Sequence, residues 1–199
     1  RTPAGGSYGG GVYFFYGGLA TNCLFATNSA GYGGGAWFEY GGTIADSVLS
    51  ANAATNLGGA AYMNCTGLIV NCQIVSNNVT VSHGGGISFN QGGICANSTL
   101  RGNRAQNQGG AFYTSYGGII TNCLVVSNSS VSYGGGGYMY YGGTAACLTV
   151  MGNQAGLPPT YSYGGGLYVY YTNALVHDCT IVSNYASYGG GIYTDSGNA

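Results

Sequence analysis

The chain has 199 residues, with 41 Gly and 20 Tyr, yet only 4% charged residues and a formal net charge of -1. Its cations, Arg1, Arg101 and Arg104, make no basic stripe, which argues against nucleic-acid binding, and no apolar run approaches the roughly 20 residues of a membrane-spanning helix. Disordered low-complexity chains share the glycine but lack the regularly spaced Val, Ile, Leu and Phe found here, so the chain folds.

From the N-terminus the first recognisable phrase is YGGGVYFFYGG, residues 8–18, and close variants recur along the chain. Aligned on the glycine clusters, units start at Tyr8, Tyr32, Leu57, His83, Gln108, Tyr133, Tyr163 and Tyr188. The intervals are 24, 25, 26, 25, 25, 30 and 25 residues. Self-similarity at such a period is the signature of a solenoid. The long interval contains GLPPTYS, residues 156–162, whose Pro158 and Pro159 place the extra residues in a loop.

Within each unit the glycine cluster opens a strand. Val12, Ile87, Phe112, Leu167 and Ile192 share one column, and Phe14, Phe38, Met63, Phe89, Met139 and Val169 the column two residues on. Between them lie Tyr13, Trp37, Tyr62, Tyr113, Tyr138, Tyr168 and Tyr193. A period of two puts the aliphatic columns inside and the Tyr/Trp column outside. A second strand follows around CLFATN and its equivalents, facing Cys or Ser and then Phe25, Leu49, Ile74, Leu100, Val125 and Ile181 inward. It ends on Asn: Cys23–Asn28, Ser47–Asn52, Cys72–Asn77, Ser98–Asn103, Cys123–Asn128 and Cys179–Asn184. Cys147–Asn153 is one residue longer, which predicts a bulge.

The wealth of Gly, β-branched and aromatic residues favours strands over helical repeats. The expected fold is all-β: one single-stranded parallel β-helix over residues 1–199, with three short strands per coil of about 25 residues and seven to eight coils. A right-handed winding follows the usual crossover preference. At about 4.8 Å per coil the rod is roughly 35 Å long. Residues Asn28, Asn52, Asn77, Asn103, Asn128, Asn153 and Asn184 then form a ladder of stacked amides with a structural role. A second column holds Asn22, Asp46, Asn71, Asn97 and Asn122.

The two anchors together resemble the repeats of the chlamydial polymorphic outer-membrane proteins and related bacterial β-helix passengers. Those repeats pair GGA plus an aliphatic residue with FxxN. Here the first motif stands as GGAA at 58–61 and GGAF at 109–112, and more often as GGG plus an apolar residue. The second stands literally as Phe25-Ala-Thr-Asn28. The resemblance implies a secreted, surface-exposed rod, adhesive or structural.

Seven cysteines raise metal and disulfide readings. There is no CxxC and no His cluster, so no metal or cofactor is expected. Cys23, Cys72 and Cys123 alternate with Ser47 and Ser98, and two coils span about 9.6 Å, beyond a disulfide. Buried free thiols are favoured; a Cys123–Cys147 or Cys147–Cys179 bridge is the alternative. Glu39, Asp46, Asp178 and Asp195 fall in different coils or segments, and His83, or His177 beside Asp178, completes no acid–base set, so no catalysis is expected. Among the Asn-x-Ser/Thr triplets at Asn64, Asn78, Asn97 and Asn128, Asn78 is the best-placed glycan acceptor.

The outer rings, joined by corner Tyr8, Tyr32, Tyr133, Tyr163 and Tyr188 and by Tyr16, Tyr40, Tyr116, Tyr141 and Tyr171, suit stacking on each other, contact with other subunits, or stacking on sugars. Neither RTPAGGS nor YGGGIYTDSGNA reads as a cap, so the chain is expected either to be part of a longer rod or to associate head to tail. The leading expectation is an extracellular structural protein that self-associates into a fibre. An adhesin binding glycans through its Tyr ladders is second, and a polysaccharide-active enzyme third.

Overall fold

A computed structural model describes residues 6–156, 161–171 and 173–195 of the chain. All regular elements in these residues are strands, most of them three residues long. The first coil shows the plan: Val12–Phe14, Leu19–Thr21, Leu24–Ala26 and Ser29–Tyr32, after which Ala36–Phe38 returns beside the starting strand. Repetition builds four parallel sheets of eight, seven, seven and six strands, each stacked in coil order. The fold is a β-solenoid of about seven turns with a spacing near 25 residues.

The expected three strands per coil become four. The strand expected around CLFATN is Leu24–Ala26, and a further strand, Leu19–Thr21, precedes it, the two separated by a bend at Asn22 with a φ of 54°. The corner repeats at Asp46, Asn71, Asn97, Asn122 and Asp178, with φ between 49° and 56°. Asn and Asp enter this left-handed region more readily than other side chains, so the column is a row of bends. The fourth strand shrinks to two residues in the middle coils, Asn78–Val79 and Arg104–Ala105, too short for alternation to register.

The bulge expected at Cys147–Asn153 is absent. Thr121 pairs with Ala146 and Leu124 with Thr149, so both coils have two residues between these pairs. Leu148 takes the place of Cys123 in the inner column, and Cys147 occupies the Asn122 corner with a φ of 54°. The register shift lies elsewhere, between Ala30 and Tyr32 against Ala53–Leu57. Pro158 and Pro159 fall outside the described residues.

The inner columns stack as the alternation predicts. Ile87, Phe112 and Leu167 of the first sheet and Phe38, Met63, Phe89 and Met139 two residues on are fully buried. The third sheet contributes Leu49, Ile74, Leu100 and Val125. The second sheet adds a column that the sequence reading missed: Ile44, Ile69, Cys95, Ile120 and Ala145. Sizes are complementary between coils. Opposite Phe112 stands Gly137, where a Cβ would sit 2.1 Å from the phenyl Cζ, so the ring fills the space that glycine leaves.

Each glycine cluster is a corner that touches the corner above it. Gly33 has a φ of 59°, and a Cβ there would meet the Ala36 carbonyl oxygen at 2.1 Å. Gly34 and Gly35 face carbonyl oxygens of the next coil at 2.3 and 2.7 Å from an added Cβ, so backbone contact excludes side chains from the whole triplet.

The Asn ladder closes the opposite corner. In each coil the Asn backbone N–H and side-chain Nδ2 both donate to Oδ1 of the Asn one coil on. Asn52 reaches Asn77 at 2.9 and 3.0 Å, and Asn103 reaches Asn128 at 2.9 and 3.0 Å. The other Nδ2 hydrogen reaches back to a carbonyl of the previous coil, as Asn103 does to Ile74 at 2.9 Å. The pattern runs from Asn28 to Asn184. Asn52, Asn77, Asn103, Asn128 and Asn153 are at most 1% exposed, so each amide replaces water for backbone groups that would otherwise be buried unpaired.

Asn103→Ala should therefore cost about 2–5 kcal/mol, because it orphans the Asn77 N–H and the Ile74 carbonyl at once. Asn122→Gly, at an exposed bend, should change stability by less than about 1 kcal/mol. Urea unfolding followed by far-UV circular dichroism measures both.

Candidate functional site

The outer face of the first sheet carries four side-chain columns. The central one is the Tyr13, Trp37, Tyr62, Tyr113, Tyr138, Tyr168 and Tyr193 column, in register by strand pairing. Its rings lie nearly parallel: Trp37–Tyr62 centroids are 4.5 Å apart at 19°, and Tyr138–Tyr168 4.9 Å apart at 7°. Although they point outward, Trp37, Tyr62, Tyr138 and Tyr168 are only 5–7% exposed. Corner rings cover their edges, as Tyr8 does for Trp37 at 4.5 Å and Tyr133 for Tyr168 at 5.1 Å. Each such pair adds about 0.5–1.5 kcal/mol beyond area burial. Burial, reinforced by Tyr32 and Glu39, pushes the Tyr62 phenol up to about 12, and Tyr138 and Tyr168 are also raised, chiefly by burial. These phenols stay protonated at neutral pH.

Glu39 is built into this face. Its Oε2 accepts from Trp37 Nε1 at 2.7 Å and Tyr13 OH at 3.1 Å, and its Oε1 from Asn64 Nδ2 at 2.7 Å. Asn90 Nδ2 donates in turn to Asn64 Oδ1 at 3.0 Å. This column of Glu39, Asn64 and Asn90 escaped the sequence reading, which weighed Glu39 only against other carboxylates. The signal was a polar residue two positions after Trp37, Tyr62 and Ser88 in three successive coils. The other acids stay apart: Asn71 donates to Asp46 at 3.1 Å, His177 pairs with Asp178 at 2.7 Å, and Tyr168 donates to Asp195 at 3.2 Å. Asp46 and Asp178 share a corner column but lie five coils apart.

The ladder has one break. Ser88 pairs with Tyr62 and Tyr113 in register, so a hydroxyl stands where its neighbours have rings. His83, in the corner column, stacks on Tyr113 at 4.8 Å and 19°, and Ser88 Oγ donates to its carbonyl at 3.2 Å. A cavity of about 270 Å³ remains, lined by Leu57, Tyr62, Ser82, His83, Ser88, Asn90, Tyr113 and Ser115 among others. His83 Nδ1 is buried with no hydrogen-bond partner. Burial depresses the imidazole from 6.5 to about 4, so it is neutral at physiological pH.

All seven cysteines are free thiols, including Cys123, Cys147 and Cys179, so neither bridge forms. Cys147 sits on the exposed corner, out of the column that holds Cys123 and Cys179. The Cys/Ser column follows the logic of the Asn ladder, because Cys23 N–H donates to Ser47 Oγ and Cys72 N–H to Ser98 Oγ, both at 3.0 Å. The described residues contain no group of three or more His, Cys, Asp and Glu placed to hold a metal. Nor do they contain a helix long and apolar enough to cross a membrane. Asn78 is half-buried within Asn78–Val79, whereas Asn97 is exposed at its bend. The Asn78 backbone is paired into a sheet on both sides, and the Asn97 side chain accepts from Asn122 Nδ2 at 2.7 Å.

Residues 97–115 match the Chlamydia polymorphic membrane protein repeat. The match spans about one coil of the β-solenoid. The matched segment holds both STLRGN and GGAF, and hence one Asn rung and one glycine corner in their proper phase. The other coils share its columns while varying its residues. No curated protein and no solved structure matches the chain significantly.

Two outcomes follow. Iodoacetamide should modify Cys147 first and reach Cys72, Cys95 and Cys123 only on unfolding, as read by peptide mass spectrometry. Between pH 6.5 and 4 the unfolded chain binds a proton that folded His83 refuses, so this site should lower stability as pH falls through that window and level off below it. His83→Gln should lose this component of the pH dependence in thermal melts. His177 is common to both proteins and cancels in the comparison.

Proposed function

We propose that the chain is a structural rod of a surface-exposed, outer-membrane-associated protein, located outside the cell, which acts by assembling with copies of itself. The observation that carries this reading is the direction in which the aromatic face presents its rings. Along the central column ring faces are used on one another, and the contact surface left is an uncharged strip of exposed residues. Tyr16 is 77% exposed, Tyr116 64% and Tyr40 49%, with Phe15, Leu19 and Leu24 beside the first of them. Amphipathic rings on a rigid backbone lose little side-chain entropy when a flat surface covers them. A net charge of -1 offers little repulsion between like rods.

The match to the polymorphic membrane protein repeat supports surface placement. Glycan adhesion along the whole ladder is less well supported, since a sugar stacks on a free ring face and the rungs leave mainly edges. Catalysis also gains no support from Glu39, whose carboxylate already takes three donors.

Sedimentation velocity and negative-stain microscopy test the reading. The wild-type rod should form side-by-side assemblies with rising concentration, and combined Tyr16→Ser, Tyr40→Ser, Tyr116→Ser and Tyr141→Ser should return single rods. A monodisperse wild type at about 0.1 mM, weaker than any useful lateral contact, would sink it.

A further inference from the structure

We infer that the corner around Gly102 binds a linear acidic polysaccharide, with Arg101 and Arg104 each taking one of two neighbouring anionic groups. This site is independent of the lateral Tyr strip and of the assembly proposed above.

The distribution of charge points to it. Arg101 ends the third-sheet strand Thr99–Arg101 and Arg104 opens the fourth-sheet strand Arg104–Ala105, so the two flank one corner of one coil. Leu100, Asn103 and Ala105 are fully buried, whereas both Arg are exposed on the outer side. Neither the third nor the fourth sheet contains an Asp or Glu. Asp46 and Asp178 stand at the bend on the other side of the third sheet, while Glu39 follows and Asp195 ends a strand of the first. Among the described residues neither Arg enters an ion pair. Two exposed cations with no counter-charge on their own sheets concentrate positive potential at this corner, in a chain whose net charge is -1.

The shape of the corner selects the ligand. Gly102 is exposed with a φ of 63°, and the Ser76 hydroxyl of the preceding coil lies 3.6 Å from where its Cβ would be. Between the two Arg stems the surface is thus open down to the backbone and that hydroxyl. The equivalent corners carry exposed hydroxyls on alternate coils, at Thr27, Ser76, Ser127 and Ser183, hence about 9.6 Å apart. This interval is close to the two-sugar repeat of an extended linear polysaccharide, so a chain laid along the rod meets one hydroxyl per disaccharide and both Arg near its middle. The two Arg backbones are at most roughly 10 Å apart and belong to different sheets. Their planar forks therefore suit two groups of one polymer better than a single compact anion. Two cations are too few to hold nucleic acid by its phosphates.

Ligand-observed saturation-transfer NMR on the full chain, at low micromolar concentration, tests the site. The probes are hexamannuronate for carboxylate, sulfated cellohexaose for sulfate, neutral cellohexaose, and hexaglutamate as an acidic peptide. At least one acidic sugar should bind at about 0.1–1 mM Kd in low salt, with the neutral sugar and the peptide at least about 10-fold weaker. Which acidic sugar binds names the anionic group. Log affinity should fall against log salt with a slope of about -1.5, and Arg101→Gln or Arg104→Gln should each weaken binding and roughly halve that slope. Gly102 separates charge from shape. Asn and Asp both tolerate its positive φ, as they do at the bends, but only Asp brings an opposing charge. Gly102→Asp should abolish binding, and Gly102→Asn should keep it within about 3-fold. The proposal is overturned if neither acidic sugar binds, or if the neutral sugar or the peptide binds as tightly. Undiminished binding in the double Arg variant, or an equal loss in the Asn and Asp variants, overturns it too.

Discussion

Successive coils must lie in register, because the amide of each Asn completes the backbone of its neighbours. In Asn52, Asn77, Asn103, Asn128 and Asn153 the carbonyl oxygen takes two donors and the amide nitrogen gives both its hydrogens. A slip of one residue would bury several unpaired polar groups per coil, a penalty that an apolar column alone could not impose. With register fixed, everything else aligns: glycine corners meet glycine corners, bends meet bends, and rings meet rings.

The same constraint shapes the outer face. Parallel strands hold equivalent residues about 4.8 Å apart, close to the distance at which aromatic rings stack. A tyrosine repeated at one position per coil is therefore covered by its neighbours although it points to solvent. The face becomes a second, external core of rings, stiffening a rod that has few charges to keep it apart from its copies. Its function is then set by exceptions to the repeat. Glu39 replaces a neutral group and gathers three donors, and Ser88 replaces a ring, whose place against Tyr113 His83 takes. In a repetitive architecture such departures are the places where chemistry becomes local.

The sequence by itself determined the period, the strand class, the inner columns around the glycine clusters and the two families of Asn, since each is a one-residue pattern recurring at fixed phase. It also carried the polymorphic membrane protein repeat, legible at residues 97–115 where both motifs stand close together. The number of sheets escaped it, because strands as short as Leu19–Thr21 and Asn78–Val79 leave too little alternation to register. The place of Cys147 escaped for a similar reason: counting from a cysteine assumed that like residues share a column, whereas Leu148 holds that column and Cys147 the bend. Only tertiary structure decided which outward rings are buried, which nitrogen of His83 lacks a partner, and that His83 stacks on Tyr113 where Ser88 interrupts the ladder. Those properties depend on what the coils above and below supply, at distances that a linear pattern does not encode.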